Sequence, residues 1–165
     1  GLAQSAVLHL DETAFYVGDL ATGGPCARWW LHVACTPTLV HYAAHERRGT
    51  GAHAAVGILP TYGGTAVHDG YASYRMHTGC QHALCGAHLL RELTFLAEEA
   101  APATRRWAAA FKRLLQTIKR ATDRARAAGF AALDRVTQAR YRRRYEALLV
   151  TGRAADPAPA PRAGR

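Results

Sequence analysis

Two acidic phrases, His9-Leu10-Asp11-Glu12-Thr13 and Val67-His68-Asp69-Gly70-Tyr71, each set an aspartate at or near the end of a short apolar run. Carboxylates on neighbouring strands can hold hard divalent cations against the attacking and leaving oxygens of a phosphodiester. Asp11 and Asp69 are therefore the candidate catalytic and metal-binding pair. Asp-Gly is also a common turn signal, so either aspartate alone would suit a strand-end turn. Glu12 follows Asp11 on the same strand and so points to the opposite face, where it reads as a supporting or structural group rather than a metal ligand.

The elements that must position this pair follow from the apolar pattern. Residues 6–17 read as a strand, buried on both faces at its start. Residues 19–25 hold the glycines of a turn, 28–36 form a second strand closed by Pro37, and 39–44 form a third. Thr50 is placed to cap a short helix reaching Leu59 before Pro60, and residues 65–68 make a short strand ending at Asp69. A strand at 80–84 and a helix at 86–100 follow. Two further helices are expected at 104–128 and 131–150, with Gly152 as a stop. The order β-β-β-α-β-(β)-α predicts an α/β fold with a mixed sheet of ribonuclease H-like type, in which a right-handed crossover sets 65–69 parallel to 7–17. Asp11 and Asp69 would then face each other across adjacent strands. The expected organisation is a core at 1–100, a basic helical insertion at 101–152 and a disordered tail at 153–165.

Charge divides along the same line. The net charge is +9, but residues 1–100 carry five Lys/Arg against eight Asp/Glu, and residues 101–165 carry sixteen against four. A cationic annex beside an acidic-leaning core suits a polyanion such as nucleic acid; a solvated arginine-rich helical surface has the same composition. No apolar run is long enough to span a bilayer, and no signal-peptide pattern opens the sequence. Four cysteines (Cys26, Cys35, Cys80, Cys85) in a chain of 165 residues do not make a disulfide scaffold and fit a reducing compartment.

Several phrases in order carry a resemblance: Leu10-Asp11-Glu12-Thr13, Arg28-Trp29-Trp30-Leu31-His32-Val33, Arg47-Arg48-Gly49, His68-Asp69-Gly70-Tyr71-Ala72-Ser73-Tyr74 and Cys85-Gly86-Ala87-His88-Leu89-Leu90-Arg91-Glu92. Over about residues 6–96 the chain resembles the transposase core of the IS-sixty-six group of bacterial insertion sequences, in the DDE superfamily. Tyr145-Glu146-Ala147-Leu148-Leu149 is similar, more weakly, to the helical insertion of that family. The resemblance implies that Asp11 and Asp69 are the first two acids of a DDE triad and that Mg²⁺ or Mn²⁺ is the cofactor. It implies double-stranded DNA (transposon ends and target) as the partner, a homo-oligomer as an option, and a bacterial cytoplasmic, nucleoid-associated location. The third acid of the family sits in a segment resembling Asp-Asn-Asn-x-x-Glu-Arg, which this sequence does not contain. Glu92, one turn beyond His88, is the nearby substitute, although the family's acid comes later. The N-terminal DNA-recognition region of full-length relatives is missing as well. The chain thus reads as a transposase piece, truncated at both ends or from a decayed element.

Beside the acids, Arg47, Arg48 and Arg91 are candidate phosphate contacts, Tyr71 and Tyr74 pack on a DNA backbone in this reading, and His88 contacts DNA or a carboxylate. Each arginine is equally suited to an ion pair or a helix cap. Two other readings stand beside the first. One is a non-catalytic remnant that keeps a DNA-binding or oligomerising surface. The other is a zinc module on Cys80, His82, Cys85 and His88, although that spacing crosses a strand-to-helix junction and lacks a second well-spaced pair. Cys85 is expected to be buried if the DDE reading holds.

Overall fold

Alternation along the first apolar run decides how the sheet faces its core. A computed structural model describes residues 1–18, 26–155 and 157, and the chain divides into two compact units, Gly1–Cys85 and Gly86–Arg165. In the first unit, strand β1 spans Val7–Val17, with Leu8 fully buried and Leu10 and Glu12 following it on the same face. The strand is buried on one face only: Val7 remains 44 % exposed, which corrects the expectation of burial on both faces at its start. A period-2 strand with one solvated face is the ordinary consequence of antiparallel pairing.

That pairing joins β1 to β2 (Ala27–Cys35), and β2 to β3 (Val40–His45). At the second hairpin the Thr36 N–H donates to the Leu39 carbonyl (2.8 Å), and the Leu39 N–H to Thr36 Oγ1 (3.1 Å). The turn expected at 19–25 lies outside the described residues. Helix α1 runs from Thr50 to Val56 and ends where Gly57 adopts φ +76°, so it is shorter than the helix to Leu59 that the sequence suggests. Gly57 stops it because a left-handed C-terminal residue diverts the chain, and Leu59–Thr61 then forms a separate 3-10 turn. Thr50 is the first helical residue rather than the cap, a position held by Gly49.

Strand β4 (Thr65–His68) returns parallel to β1, and β5 (Gln81–Leu84) lies parallel to β4, giving the order β3-β2-β1-β4-β5. Leu8, Ala34 and Ala66 from the three central strands pack with Leu59, Tyr62 and Tyr74 from the connections, which therefore cover the core face of the sheet. This is a mixed five-stranded sheet with the crossover strand beside the first.

The second unit contains α2 (Gly86–Glu99), α3 (Pro102–Ala127) and α4 (Arg135–Ala155). Phe111, Leu114, Ala108 and Ala121 of α3 are buried, with Trp107, Tyr141, Tyr145 and Leu148 around them. Helix α4 begins at Arg135, not at 131, because Asp134 Oδ1 accepts the Thr137 N–H (2.9 Å) as an N-cap. It also passes through Gly152 to Ala155. Most of the tail expected to be disordered, at 156 and 158–165, lies outside the described residues.

Gly152 does not terminate the helix because its missing side chain makes room for the Trp107 ring, whose Nε1 donates to the Leu148 carbonyl (2.6 Å). An added Cβ would overlap that ring. In an exposed helix, glycine to alanine stabilises by about 1 kcal/mol. Here overpacking wins, and Gly152→Ala is expected to destabilise the helical unit by about 1–3 kcal/mol, read as a lower urea midpoint. A raised midpoint would mean that Trp107 has room to move.

Candidate active site

The parallel register of β1 and β4 fixes where the two aspartates lie. His9 stands opposite Val67, so continuing the register brings Asp11 level with Asp69, the residue after the last of β4. Asp69 Oδ1 accepts the Tyr71 N–H (2.8 Å), and Gly70 between them has φ +94°, a conformation that disfavours any side chain. Asp11 is exposed, and its Oδ1 accepts the Glu12 N–H (2.9 Å). Both offer carboxylate oxygens, the donor type that hard divalent cations take.

Glu12, on the opposite face of β1, has a different environment. Its carboxylate is 1 % exposed and collects partners from four other segments. Arg48 Nε approaches Glu12 Oε2 (3.3 Å), while Arg48 Nη2 donates to Asp69 Oδ2 (2.7 Å). Tyr74 donates its hydroxyl to Glu12 Oε1 (2.5 Å). His32 Nδ1 and His53 Nε2 face the same oxygen at 3.9 and 3.5 Å. Burial alone would raise the Glu12 carboxyl, but the neighbouring His53 ring, the Tyr74 hydroxyl and the charge of Arg48 outweigh it and hold the group below the usual range. The same network holds Tyr74 protonated: burial first, then Glu12, Asp69 and Asp11, push its phenol far above the ordinary value. Arg48 is thus a clamp between a buried glutamate and a candidate catalytic aspartate. Its guanidinium lies 4.1 Å from the Tyr71 ring centre and 5.2 Å from that of Trp30.

The sequence pattern puts Arg48 among phosphate contacts; here its guanidinium is engaged with two carboxylates. Arg47 is largely exposed, 3.6 Å from Glu46, and its backbone holds His32 and His45. Tyr71 is half-exposed under Arg48, whereas Tyr74, read from the sequence as a DNA-backbone contact, is buried in the core with its hydroxyl on Glu12 and does not face solvent. His88 (half-buried) and Arg91 (exposed) lie on α2 in the helical unit. Sequence reasoning missed His32, His53 and Tyr74 as partners of Glu12. One available signal was register: Glu12 pairs directly with His32 across β1 and β2.

A relay of histidines bears on the zinc reading. Gly70 N–H donates to His68 Nδ1 (3.0 Å), so His68 Nε2–H must donate to His82 Nδ1 (3.0 Å), and His82 Nε2–H to the His77 carbonyl (3.0 Å). His82 therefore turns a protonated nitrogen toward Cys80 Sγ at 3.8 Å, and burial raises the Cys80 thiol. Both features disfavour a metal there. Cys85 is half-buried, not buried.

Residues 1–156 match the protein family described as "Transposase IS66 family". The chain belongs to that family. Neither a curated protein nor a solved structure matches it. For this transposase chain, the family match and the acid pair coincide: both phrases that carry Asp11 and Asp69 fall within the matched span. No described helix is long and apolar enough to cross a membrane.

Proposed function

We propose that this chain carries two acids of a DDE centre on a ribonuclease H-like sheet, acting in DNA transposition by metal-dependent nicking and strand transfer. What supports the reading is that Asp11 on β1 and Asp69, directly after its parallel neighbour β4, each lie two residues beyond the pair His9–Val67, in a chain of a transposase family. The sheet order β3-β2-β1-β4-β5, with one antiparallel meander and two parallel neighbours, supports the fold assignment. Asp11 and Asp69 would hold Mg²⁺ or Mn²⁺, which supplies activation of a hydroxyl nucleophile and stabilisation of the leaving 3′-oxygen when bound. Arg48 orients Asp69 through its bond to Oδ2, and Tyr71 fixes Oδ1 through its backbone. Arg47, Tyr71, His88 and Arg91 remain the proposed DNA contacts, with Arg48 as a positioning group.

Two acids are fewer than the chemistry uses, so the 165-residue chain is expected not to nick transposon-end DNA with Mg²⁺ or Mn²⁺. Robust nicking that Asp11→Ala and Asp69→Ala each abolish would overturn that expectation.

The positive helical unit is proposed to track the phosphate backbone. DNA retention should collapse with added salt, log K falling linearly with log salt. Replacing the exposed Arg142, Arg143 and Arg144 with glutamine should flatten that slope by about 1 for each phosphate no longer neutralised. An unchanged slope would leave those arginines as a solvated surface.

A further inference from the structure

We propose a second metal centre, distinct from the aspartate pair, in which Glu12, His32 and His53 hold a zinc-class divalent ion. Their ligand atoms, one from each side chain, all lie within 4.8 Å of one another, and this is the three-ligand group found among the described residues. His32 and His53 are 6 and 5 % exposed.

Proton positions decide what can sit between these groups. His32 Nε2 lies 3.0 Å from the Arg47 carbonyl, which can only accept, so Nε2 carries the hydrogen. In the neutral ring Nδ1 is then a lone pair, and it faces the Glu12 carboxylate at 3.9 Å. Two electron-rich atoms so placed leave room for a cation between them. A proton fits poorly, because an N–H···O bond spans about 2.7–3.2 Å. A zinc-class ion fits better: bonds of about 2.0–2.1 Å in tetrahedral array set neighbouring ligands roughly 3.4 Å apart. The His53 Nε2 to Glu12 Oε1 separation is 3.5 Å, and that buried nitrogen has no hydrogen-bond partner.

The outward nitrogens are held as metal-binding imidazoles usually are, His32 by the Arg47 carbonyl and His53 Nδ1 by His77 Nε2 at 3.0 Å. His32 and His53 also line a small cavity of about 20 Å³, which they share mostly with apolar neighbours such as Leu10, Val33, Ile58 and Leu59. The donor set, two imidazoles and one carboxylate, is one that zinc takes, whereas magnesium prefers oxygen alone. Bound there, the ion would tie β1, β2 and α1 together. Through the other oxygen of Glu12 it would steady Arg48 and hence Asp69.

The test is Zn²⁺ titration of the tag-free chain against a chromogenic chelator, with Co²⁺ absorption as a second probe. One Zn²⁺ per chain is expected, with a rise in melting temperature. His32→Ala and His53→Ala should each weaken binding more than about 100-fold, and His77→Ala by about 10–100-fold, as an outer partner. The Asp11→Asn/Asp69→Asn double variant and Cys80→Ser should bind as the parent does. Circular dichroism checks that each variant folds; should the histidine variants fail, the Co²⁺ spectrum of the unaltered chain decides. Tetrahedral bands without thiolate charge transfer support the centre. Thiolate bands, loss of Zn²⁺ in the aspartate double variant, or no Zn²⁺ uptake would overturn it.

Discussion

Arg48→Met is expected to lower the unfolding free energy of the sheet unit by about 3 kcal/mol. Removing one partner of a buried pair costs roughly 3–5 kcal/mol, because the remaining charge is stranded. The lower end applies here, since the Arg48 side chain is 25 % exposed and Glu12 keeps the Tyr74 hydroxyl. Were this a surface ion pair, the cost would fall within about 1 kcal/mol. The distinction lies with Glu12, whose side chain is 1 % exposed. Combining Arg48→Met with Glu12→Gln removes the stranded charge, so the double variant should recover about 2 kcal/mol relative to additivity. Urea unfolding with a metal chelator present, in a Trp107→Phe background where Trp29 and Trp30 report on the sheet unit, measures all four corners. Additive effects would contradict the clamp.

Much of the sheet was legible because strand signals here are local. The apolar run of Val7, Leu8, Leu10, Phe15, Tyr16 and Val17, the Pro37 stop, and the short run before Asp69 led to strands at 6–17, 28–36, 39–44, 65–68 and 80–84. Those lie within one residue or so of the observed elements. The parallel return of β4 beside β1 followed from topology rules. What the sequence could not disclose is who meets Glu12. Its partners come from positions 32, 48, 53 and 74, and the bond from Tyr74 spans 62 residues. Loop lengths and register bring them together, and neither is written in any short motif. Arg48 shows the same limit from the other side: an arginine beside an acid reads as a phosphate contact until its two carboxylate partners appear.

The helical unit departed from expectation at its ends for two opposed reasons. Ala131, Ala132 and Leu133 are good helix formers, yet Asp134 accepting the Thr137 N–H starts the helix later, so capping outweighed propensity. Gly152 reads as a stop, yet contact with Trp107 gives it a reason to sit inside a helix. Only the tertiary neighbour distinguishes a terminating glycine from a packing one.

The second large effect concerns the aspartate pair itself, and it is also the most direct test of the proposed centre. Asp11 lies on β1 and Asp69 directly after the parallel β4, one exposed and the other steadied by Arg48 and the Tyr71 backbone. Two carboxylates without the remaining ligands should bind a hard ion weakly but specifically, since Mg²⁺ and Mn²⁺ keep several waters and need only one or two protein carboxylates. The decisive measurement is a Mn²⁺ titration of the chain followed by water-proton relaxation, with Zn²⁺ present at one equivalent. A DDE acid pair predicts saturable Mn²⁺ binding that Mg²⁺ displaces, that Asp11→Asn and Asp69→Asn each abolish, and that Glu92→Gln leaves unchanged. Mn²⁺ binding that persists in both aspartate variants, or is lost in Glu92→Gln alone, would contradict it.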